Sequence, residues 1–389
     1  MNLVFFYIAF AFGTLAGSSF LYNIVIYSQT LDAVKGFSGV VFLFLFLPFP
    51  LIFLYTGFLL DHFQKKMVLL FFQFLHLLAV FLSGYFDLEI QKMPIFLLGI
   101  AFINGMGMTA VLPGRMAMLR EVVDSQRIVF HTIIGNLLLI FFFGMSPLFV
   151  GYLRDSFSFS NVFIFISWLH SISILSLLFV FPRKISKQSS NSDSPPELVL
   201  AFLKRDKVAR QVLYMTVLSM LALGPIQVIL PKYIRDVLNL GELGRGFVLV
   251  ALGPGLFLGG LATILFHHSK RKGLILLSMF LISSVFFLGL VPFQKPEITS
   301  IFLFLFGITG GVISSLLPAI LQKRSEDHIR GRVLSLYTVC FQFTPAVSGL
   351  ISAFLGDSFG VFFTFLGLGI VFFLSGIVGF IRYAELRES

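Results

Sequence analysis

A continuous run of about twenty apolar residues is what a helix needs to cross the hydrocarbon core of a bilayer, and this chain consists of such runs laid nearly end to end. Bounded by charges or turn residues, they fall at 3–28, 38–60, 67–86, 94–118, 129–153, 161–182, 209–231, 246–266, 273–293, 299–321, 333–355 and 360–381. Within hydrocarbon every backbone N–H and C=O has to be satisfied inside the chain, which admits helices or a closed barrel. The runs are apolar throughout rather than alternating, so the barrel is excluded. The pattern predicts an all-α polytopic membrane protein with twelve transmembrane helices. A content of 57% hydrophobic and only 12% charged residues lies far from the roughly 25% charged of a soluble domain and excludes that class. The 52 Phe and 34 Gly suit the same solvent, Phe against lipid and Gly where helices approach closely.

An even number of spans puts both termini on one side, and the charges say which. Of the 28 Lys and Arg, only Lys35, Lys92, Arg154, Lys232, Arg235, Arg245 and Lys295 fall on one side. The others crowd the opposite side, which the positive-inside rule assigns to the cytoplasm together with both termini. The net charge of +10 sits in short clusters between apolar runs, without the basic face or aromatic platform that nucleic acid requires, so nucleic acid is not expected as a partner. The single cysteine, Cys340, lies within a span and offers neither a disulfide framework nor a thiolate metal site. Met1 to Ser28 lacks a basic n-region and a small-residue cleavage site, and reads as the first span rather than a signal peptide.

The longest polar stretch, Pro182 to Arg210, contains Ser189, Ser190, Asn191, Ser192, Asp193 and Ser194 before Pro195 and Pro196. Such a segment cannot bury a core and is expected to be a mobile linker, with Glu197 to Lys204 forming a short interfacial helix. The expected organisation is therefore an N-terminal six-helix bundle over 1–182, a cytoplasmic linker over 183–208 and a C-terminal six-helix bundle over 209–389. The halves repeat. Leu153-Arg154-Asp155-Ser156-Phe157 recurs 202 residues on as Leu355-Gly356-Asp357-Ser358-Phe359, while Asp124 with Arg127 and Gly57 recur 203 residues on as Asp327 with Arg330 and Gly260. Parallel six-helix repeats of this kind are one established transporter architecture.

After the second run comes Gly57-Phe58-Leu59-Leu60-Asp61-His62-Phe63-Gln64-Lys65-Lys66, then Leu69. This stretch resembles the signature loop of the major facilitator superfamily, matching at Gly57, Leu59, Asp61, Lys65, Lys66 and Leu69. His62 stands for the usual basic residue, and Gln64 replaces a glycine that would ease the turn. The resemblance implies the major facilitator fold of two six-helix bundles and a conformational latch. In it Asp61 meets the N-terminus of the eleventh helix, where a dipole favours an anion, and neighbouring arginines, of which Arg115, Arg120, Arg330 and Arg332 are available. The equivalent place in the second half holds Ile264, so the acidic latch occurs once. Pro113-Gly114-Arg115 with Leu119, Glu121 and Val122, and Leu321-Gln322 followed by Arg330-Gly331-Arg332-Val333, resemble the branch that holds the enterobactin exporter and macrolide efflux proteins. That branch implies export of a small hydrophobic or amphipathic, drug- or siderophore-like solute across a bacterial plasma (inner) membrane, by an antiporter.

All 18 Asp and Glu residues fall in loops, in the linker or at span ends, so no mid-membrane carboxylate offers itself as a proton carrier. Histidine is the alternative titratable group. His76 and His170 lie on helices that are peripheral in the facilitator fold and read as structural, and His131 lies near the cytoplasmic end of the fifth span. The resemblance also implies which helices line the central cavity, and on them the candidate substrate contacts are Tyr22, Asn23, Asn104, Thr109, Asn136, Gln227, Tyr337 and Gln342. Such a neutral, aromatic, carboxylate-poor set fits an apolar or anionic solute better than a compact dication. Gly253, Gly255, Gly259 and Gly260 in the eighth run, with Gly307, Gly310 and Gly311 in the tenth, serve either bending or close packing, and Pro254 adds a kink. The runs contain no paired acids, H-E-x-x-H motif or cysteine cluster, so an enzyme is not expected. No cofactor or metal is expected either. The expected partners are a small-molecule substrate, the lipid bilayer and, in an antiport scheme, protons, and the chain is expected to be a monomer. Lysophospholipid transport, proton-independent facilitation and a non-transporting receptor or assembly role stand as alternatives.

Overall fold

The computed structural model describes residues 2–31, 33–183, 196–266, 269, 271–326 and 329–388. Among them ten helices are long and apolar enough to cross a membrane, and two shorter apolar helices, Phe37–Ile52 and Lys272–Leu288, complete the expected twelve spans. The first six are Asn2–Ser28, a broken second span over 37–62, Lys65–Tyr85, Phe96–Val122, Ile128–Ser156 and Phe159–Leu178. After the helix Pro196–Arg205, where the interfacial helix was expected, come broken seventh and eighth spans over 207–236 and 242–266. Lys272–Leu288, Pro296–Arg324, Arg330–Phe359 and Val361–Arg382 follow. Residues 184–195 of the expected linker lie outside the described residues.

Three of the expected spans are interrupted, the eighth near the kink expected at Pro254, and each for the same reason. Proline lacks an N–H, and its ring clashes with the carbonyl four residues earlier. The second span breaks at Leu47 before Pro48, the seventh at Ala222 before Pro225 and again at Ile229 before Pro231. The eighth breaks at Val250 and Ala251, and Val250 is the residue whose carbonyl Pro254 disturbs. Pro113, Pro147, Pro318 and Pro345 are by contrast held inside continuous helices.

The chain divides into two compact units, Met1–Ser186 with Ile234–Val250, and Lys187–Tyr233 with Ala251–Ser389. In the first, the first helix packs on the fifth and sixth, and the third on the fourth and sixth. Phe6, Phe10, Leu69, Met118, Leu119, Leu177 and Val180 form one of its core clusters. The short helix Glu242–Leu249 belongs to this unit and lies close on the fifth helix: a Cβ at Gly151 would stand 2.6 Å from the Glu242 carbonyl oxygen, and one at Gly246 2.7 Å from that of Pro147.

In the second unit the eighth span packs on the tenth helix, the ninth on the tenth and twelfth, and the seventh on the eleventh. Gly255 and Gly259 face Gly307 and Gly311 so closely that a Cβ at Gly259 would fall on the Ile308 carbonyl oxygen, and one at Gly307 would lie 2.7 Å from that of Leu252. Two small-xxx-small stripes thus meet backbone to backbone, the contact that membrane helices use where lipid supplies no hydrophobic drive. Packing accounts for these glycines, and the break lies beside them at Val250 and Ala251. Exposed Phe71, Phe74, Phe141 and Trp168 in one unit, and Phe363, Val371, Leu374 and Val378 in the other, form the outward apolar surface.

Candidate functional site

The loop after the second span is built without strain. Phe63 and Gln64 adopt ordinary extended backbone, Gln64 at φ −62° and ψ 119°, so the position that held a glycine in the motif needs no left-handed conformation here. The third helix then starts at Lys65, and both lysines reach across the unit. Lys65 Nζ lies 2.6 Å from Glu121 Oε1 at the end of the fourth helix, and Lys66 Nζ donates to the Leu178 carbonyl at 2.7 Å and sits over the Phe181 ring. Beyond the fourth helix, Arg183 pairs with Asp124 while its backbone N–H donates to the Glu121 carbonyl at 3.0 Å. The Arg183 guanidinium holds the Asp124 carboxyl below the usual carboxylate range, chiefly by hydrogen bonding. The two stretches that carried the family resemblance, 57–66 and 113–122, are therefore joined by an ion pair. Gly57 and Asp61 lie in the helix Pro48–His62, and their side chains are outside the described set.

Of the four arginines expected near Asp61, Arg120 is exposed. Arg330 donates to the Gln322 and Ser325 carbonyls, both at 3.1 Å, and Arg332 is half-buried in the second unit. Arg115 is the unexpected one. Only 5% exposed, it turns into the bundle, donates from Nη1 to Thr14 Oγ1 at 2.8 Å and lies 5.0 Å from the Phe10 ring centre. Gly13 makes the room, since a Cβ there would collide with Arg115 Nη2 and stand 2.6 Å from Ser173 Oγ. Ser173 Oγ is placed by the Ala9 carbonyl at 2.6 Å and by Gln73 Oε1 at 3.2 Å.

Deeper in the same bundle Asn104 Nδ2 lies 2.9 Å from His76 Nδ1, and His76 stacks on His170 with ring centres 5.3 Å apart and planes 19° apart. Here too a glycine supplies the space: a Cβ at Gly107 would be 2.5 Å from His76 Cδ2. Helices one, three, four and six thus enclose a guanidinium, two imidazoles, two amides and two hydroxyls. No carboxylate pairs with Arg115 among the described residues. A lone cation at a helix centre in the membrane costs about 2.5–3.5 kcal/mol on insertion scales, and here Thr14 and the Phe10 ring are what Arg115 is given.

At the far end of the first unit lies a second polar group. Arg245, 2% exposed, pairs with Glu242 one turn earlier, and its charge reaches the buried Tyr22 hydroxyl. Tyr22 Oη and both polar atoms of Asn23 lack hydrogen-bond partners. Tyr27 donates to Asp87 Oδ1 at 2.5 Å, and Arg154 lies 3.6 Å above the Phe159 ring. Arg245 reads as a loop charge in sequence; its signal is Glu242 three residues earlier, a spacing that pairs on a helix.

The remaining cavity candidates are scattered. Thr109 donates to its own helix at the Met106 carbonyl, 2.8 Å away, and Asn136 is exposed. Gln227, Tyr337 and Gln342 are half-buried in the second unit, where Tyr337 contacts Phe341 at 5.6 Å. His131 accepts from or donates to Tyr7 Oη at 2.6 Å, depending on its tautomer. No group of three or more metal-ligating side chains occurs among the described residues. A cleft of about 380 Å³ in the second unit is lined by Arg205, Asp206, Lys207, Arg324 and Glu385. Four of its charges are paired, Lys207 with Glu385 and Arg324 with Asp206, at 2.8 and 3.2 Å.

The family model of the Major Facilitator Superfamily matches residues 4–324 and, again, 267–388. The chain is 25% identical over 251 residues to the uncharacterized MFS-type transporter YuxJ of Bacillus subtilis (strain 168), a match that spans 63% of each protein. Its fold is similar to the crystal structure of the nucleoside transporter NupG, with TM-score 0.77 and 15% identity over 99% of this chain and 98% of that one. A D-xylose-proton symporter follows at TM-score 0.74 and 10% identity over the whole of both chains. A bacterial homologue of the human lysosomal transporter Spinster gives 0.68 and 10% over 98% of this chain and 96% of that one. At such identities the likeness is one of fold.

Proposed function

The chain belongs to the major facilitator superfamily, a family of membrane transporters and not of enzymes, and from that premise we propose that it is a secondary transporter that exports a small hydrophobic or amphipathic solute by alternating access. The observation that carries the reading is the anchoring of the signature loop. Lys65 and Lys66 tie the start of the third helix to the ends of the fourth and sixth, so the cytoplasmic ends of the first bundle are stapled into one body. Alternating access needs such a body, because rocking requires bundles that move without deforming. Asp61 then serves as the latch in the outward-facing state and Arg115 as its partner when the guanidinium leaves the bundle interior.

The substrate class rests on the neutral, aromatic character of Tyr22, Asn23, Asn104, Thr109, Asn136, Gln227, Tyr337 and Gln342, and the direction on the exporter-like stretches at 113–122 and 321–336. Both termini lie in the cytoplasm of a bacterial cell, and the monomer is the working unit. The test is uptake into everted vesicles with an imposed pH gradient, using labelled erythromycin as the lipophilic probe and methyl viologen as the dication. Uptake of the macrolide alone is expected. Uptake of the dication alone, or of nucleosides or xylose instead, overturns the substrate class. Asp61→Asn is expected to cut uptake at least tenfold while leaving membrane insertion intact, and wild-type uptake by that variant reduces the loop to a topology signal.

A further inference from the structure

The first unit holds a pair of imidazoles, of which His76 meets the cavity candidate Asn104 and His170 meets none. His76 Nδ1 is engaged by the Asn104 side-chain amide at 2.9 Å. His170 is not engaged. It is 2% exposed, and neither ring nitrogen has a hydrogen-bond partner. A neutral imidazole always keeps one vacant lone pair, so His170 presents a proton acceptor inside the bundle, with the face of His76 5.3 Å away and nearly parallel.

The groups that set its occupancy can be named helix by helix. The sixth helix packs against the first, third and fifth. From the third comes His76, and from the fourth comes Arg115, whose guanidinium shares the space over Gly13 with Ser173, one turn from His170. On the first helix Tyr7 is engaged with His131 at one end, while Tyr22 and Tyr27 stand at the other, by Arg245 and Asp87. On the fifth, Arg154 lies over Phe159. The one full charge facing the pair is thus Arg115, and like charges at close range in a low dielectric repel strongly.

We propose that His170, stacked on His76, is the intramembrane proton-binding site of this carboxylate-poor transporter, empty while Arg115 points inward and filled when Arg115 swings away. The proton adds to a free ring nitrogen of His170, no other bond changes, and the return of Arg115 to Thr14 expels it. This inference rests on the transporter reading and gives it a coupling site. Arg115→Gln removes the opposing charge without shrinking the side chain drastically, so the pair should accept a proton more readily.

The test is histidine ¹⁵N NMR of the full chain in lipid nanodiscs between pH 5 and 8, which needs no substrate. In the wild type the His76 and His170 rings, assigned with H76Q and H170Q, should stay neutral at pH 7. In Arg115→Gln the protonation midpoint should rise by about one pH unit or more, a tenfold gain in proton affinity. A wild-type pair already charged at pH 7, or a midpoint indifferent to Arg115→Gln, overturns the proposal. In proteoliposomes carrying labelled erythromycin, H76Q/H170Q should keep downhill flux and lose stimulation by a pH gradient, and undiminished stimulation overturns it too. Thermal unfolding in the same nanodiscs separates loss of the site from loss of the fold. Should wild-type chain move no probe at all, the transporter reading fails while the NMR result still decides whether His170 binds a proton under the control of Arg115.

Discussion

Two units built from similar helices have unlike interiors. Every buried Arg, His, Asn and Gln among the described residues belongs to the first unit: Asn23, Gln73, His76, Asn104, Arg115, His131, His170 and Arg245. Apart from Tyr233, which donates to the Val291 carbonyl at 2.8 Å, the buried polar side chains described in the second unit are Ser and Thr, and most of them turn back on their own helix, as Thr216 does to Val212, Ser284 to Leu281, Ser352 to Gly349 and Thr364 to Gly360. A hydroxyl that satisfies itself within one turn carries no information to a neighbouring helix. In the first unit buried amide, imidazole and guanidinium side chains reach between helices, whereas in the second the eighth span and tenth helix meet backbone to backbone through glycine.

The largest effect that can break this contrast lies in the second unit. Gly259→Leu places a side chain on the Ile308 carbonyl, where overpacking costs roughly 1–3 kcal/mol or more, and the variant should show a sharply lowered unfolding temperature and little folded protein. Gly260→Ala, one residue on, has only Ser315 Oγ at 4.0 Å and should be nearly neutral. Equal damage at both sites would mean that the glycine stripes are not the determinant. Next comes Gly13→Ala in the first unit, which pushes on the Arg115 guanidinium. Because that group can swing, transport should fall more than thermal stability does; the reverse ranking would make Arg115 a packing residue.

A smaller effect is expected at the loop. A double-mutant cycle of Lys65→Ala and Glu121→Ala should yield a coupling of at most about 1 kcal/mol, since both partners are partly solvated. A coupling of zero would leave the staple to the Lys66–Leu178 contact. Least of all is the pH effect of Asp124. Its pKa is lowered in the folded chain by Arg183, so the associated stability is complete above the unfolded carboxylate pKa of about 3.9 and fades as pH falls through the lower folded value. Between pH 5 and 8 Arg183→Ala should leave the pH dependence of unfolding flat, and a difference should emerge only in acid.

Much of the fold was legible because hydrocarbon leaves the chain few choices: a run of suitable length has to become a helix, and a charged or Pro-rich stretch has to leave the membrane. Prolines were harder to read. Pro48, Pro225 and Pro254 break their helices while Pro113 and Pro345 do not; at Pro113 the freed Thr109 carbonyl accepts from Thr56 Oγ1 of the second span at 3.5 Å. The loop motif and its link to the fourth-helix run were visible as two separate strings, yet the Lys65–Glu121 pair that joins them required the third and fourth helices to be placed side by side.

The sequence by itself determined the twelve spans, the family and the absence of a mid-membrane carboxylate, since each depends on residues taken along the chain. Only the tertiary structure decided that Arg115 faces inward, that Arg245 is buried with Glu242, and that His76 and His170, ninety-four positions apart in a chain that offers no pattern linking them, stack ring on ring. Periodicity reports which face of a helix is apolar, and it is silent on which polar group of one helix meets which of another. That pairing is set by where small residues such as Gly13 and Gly107 let side chains through.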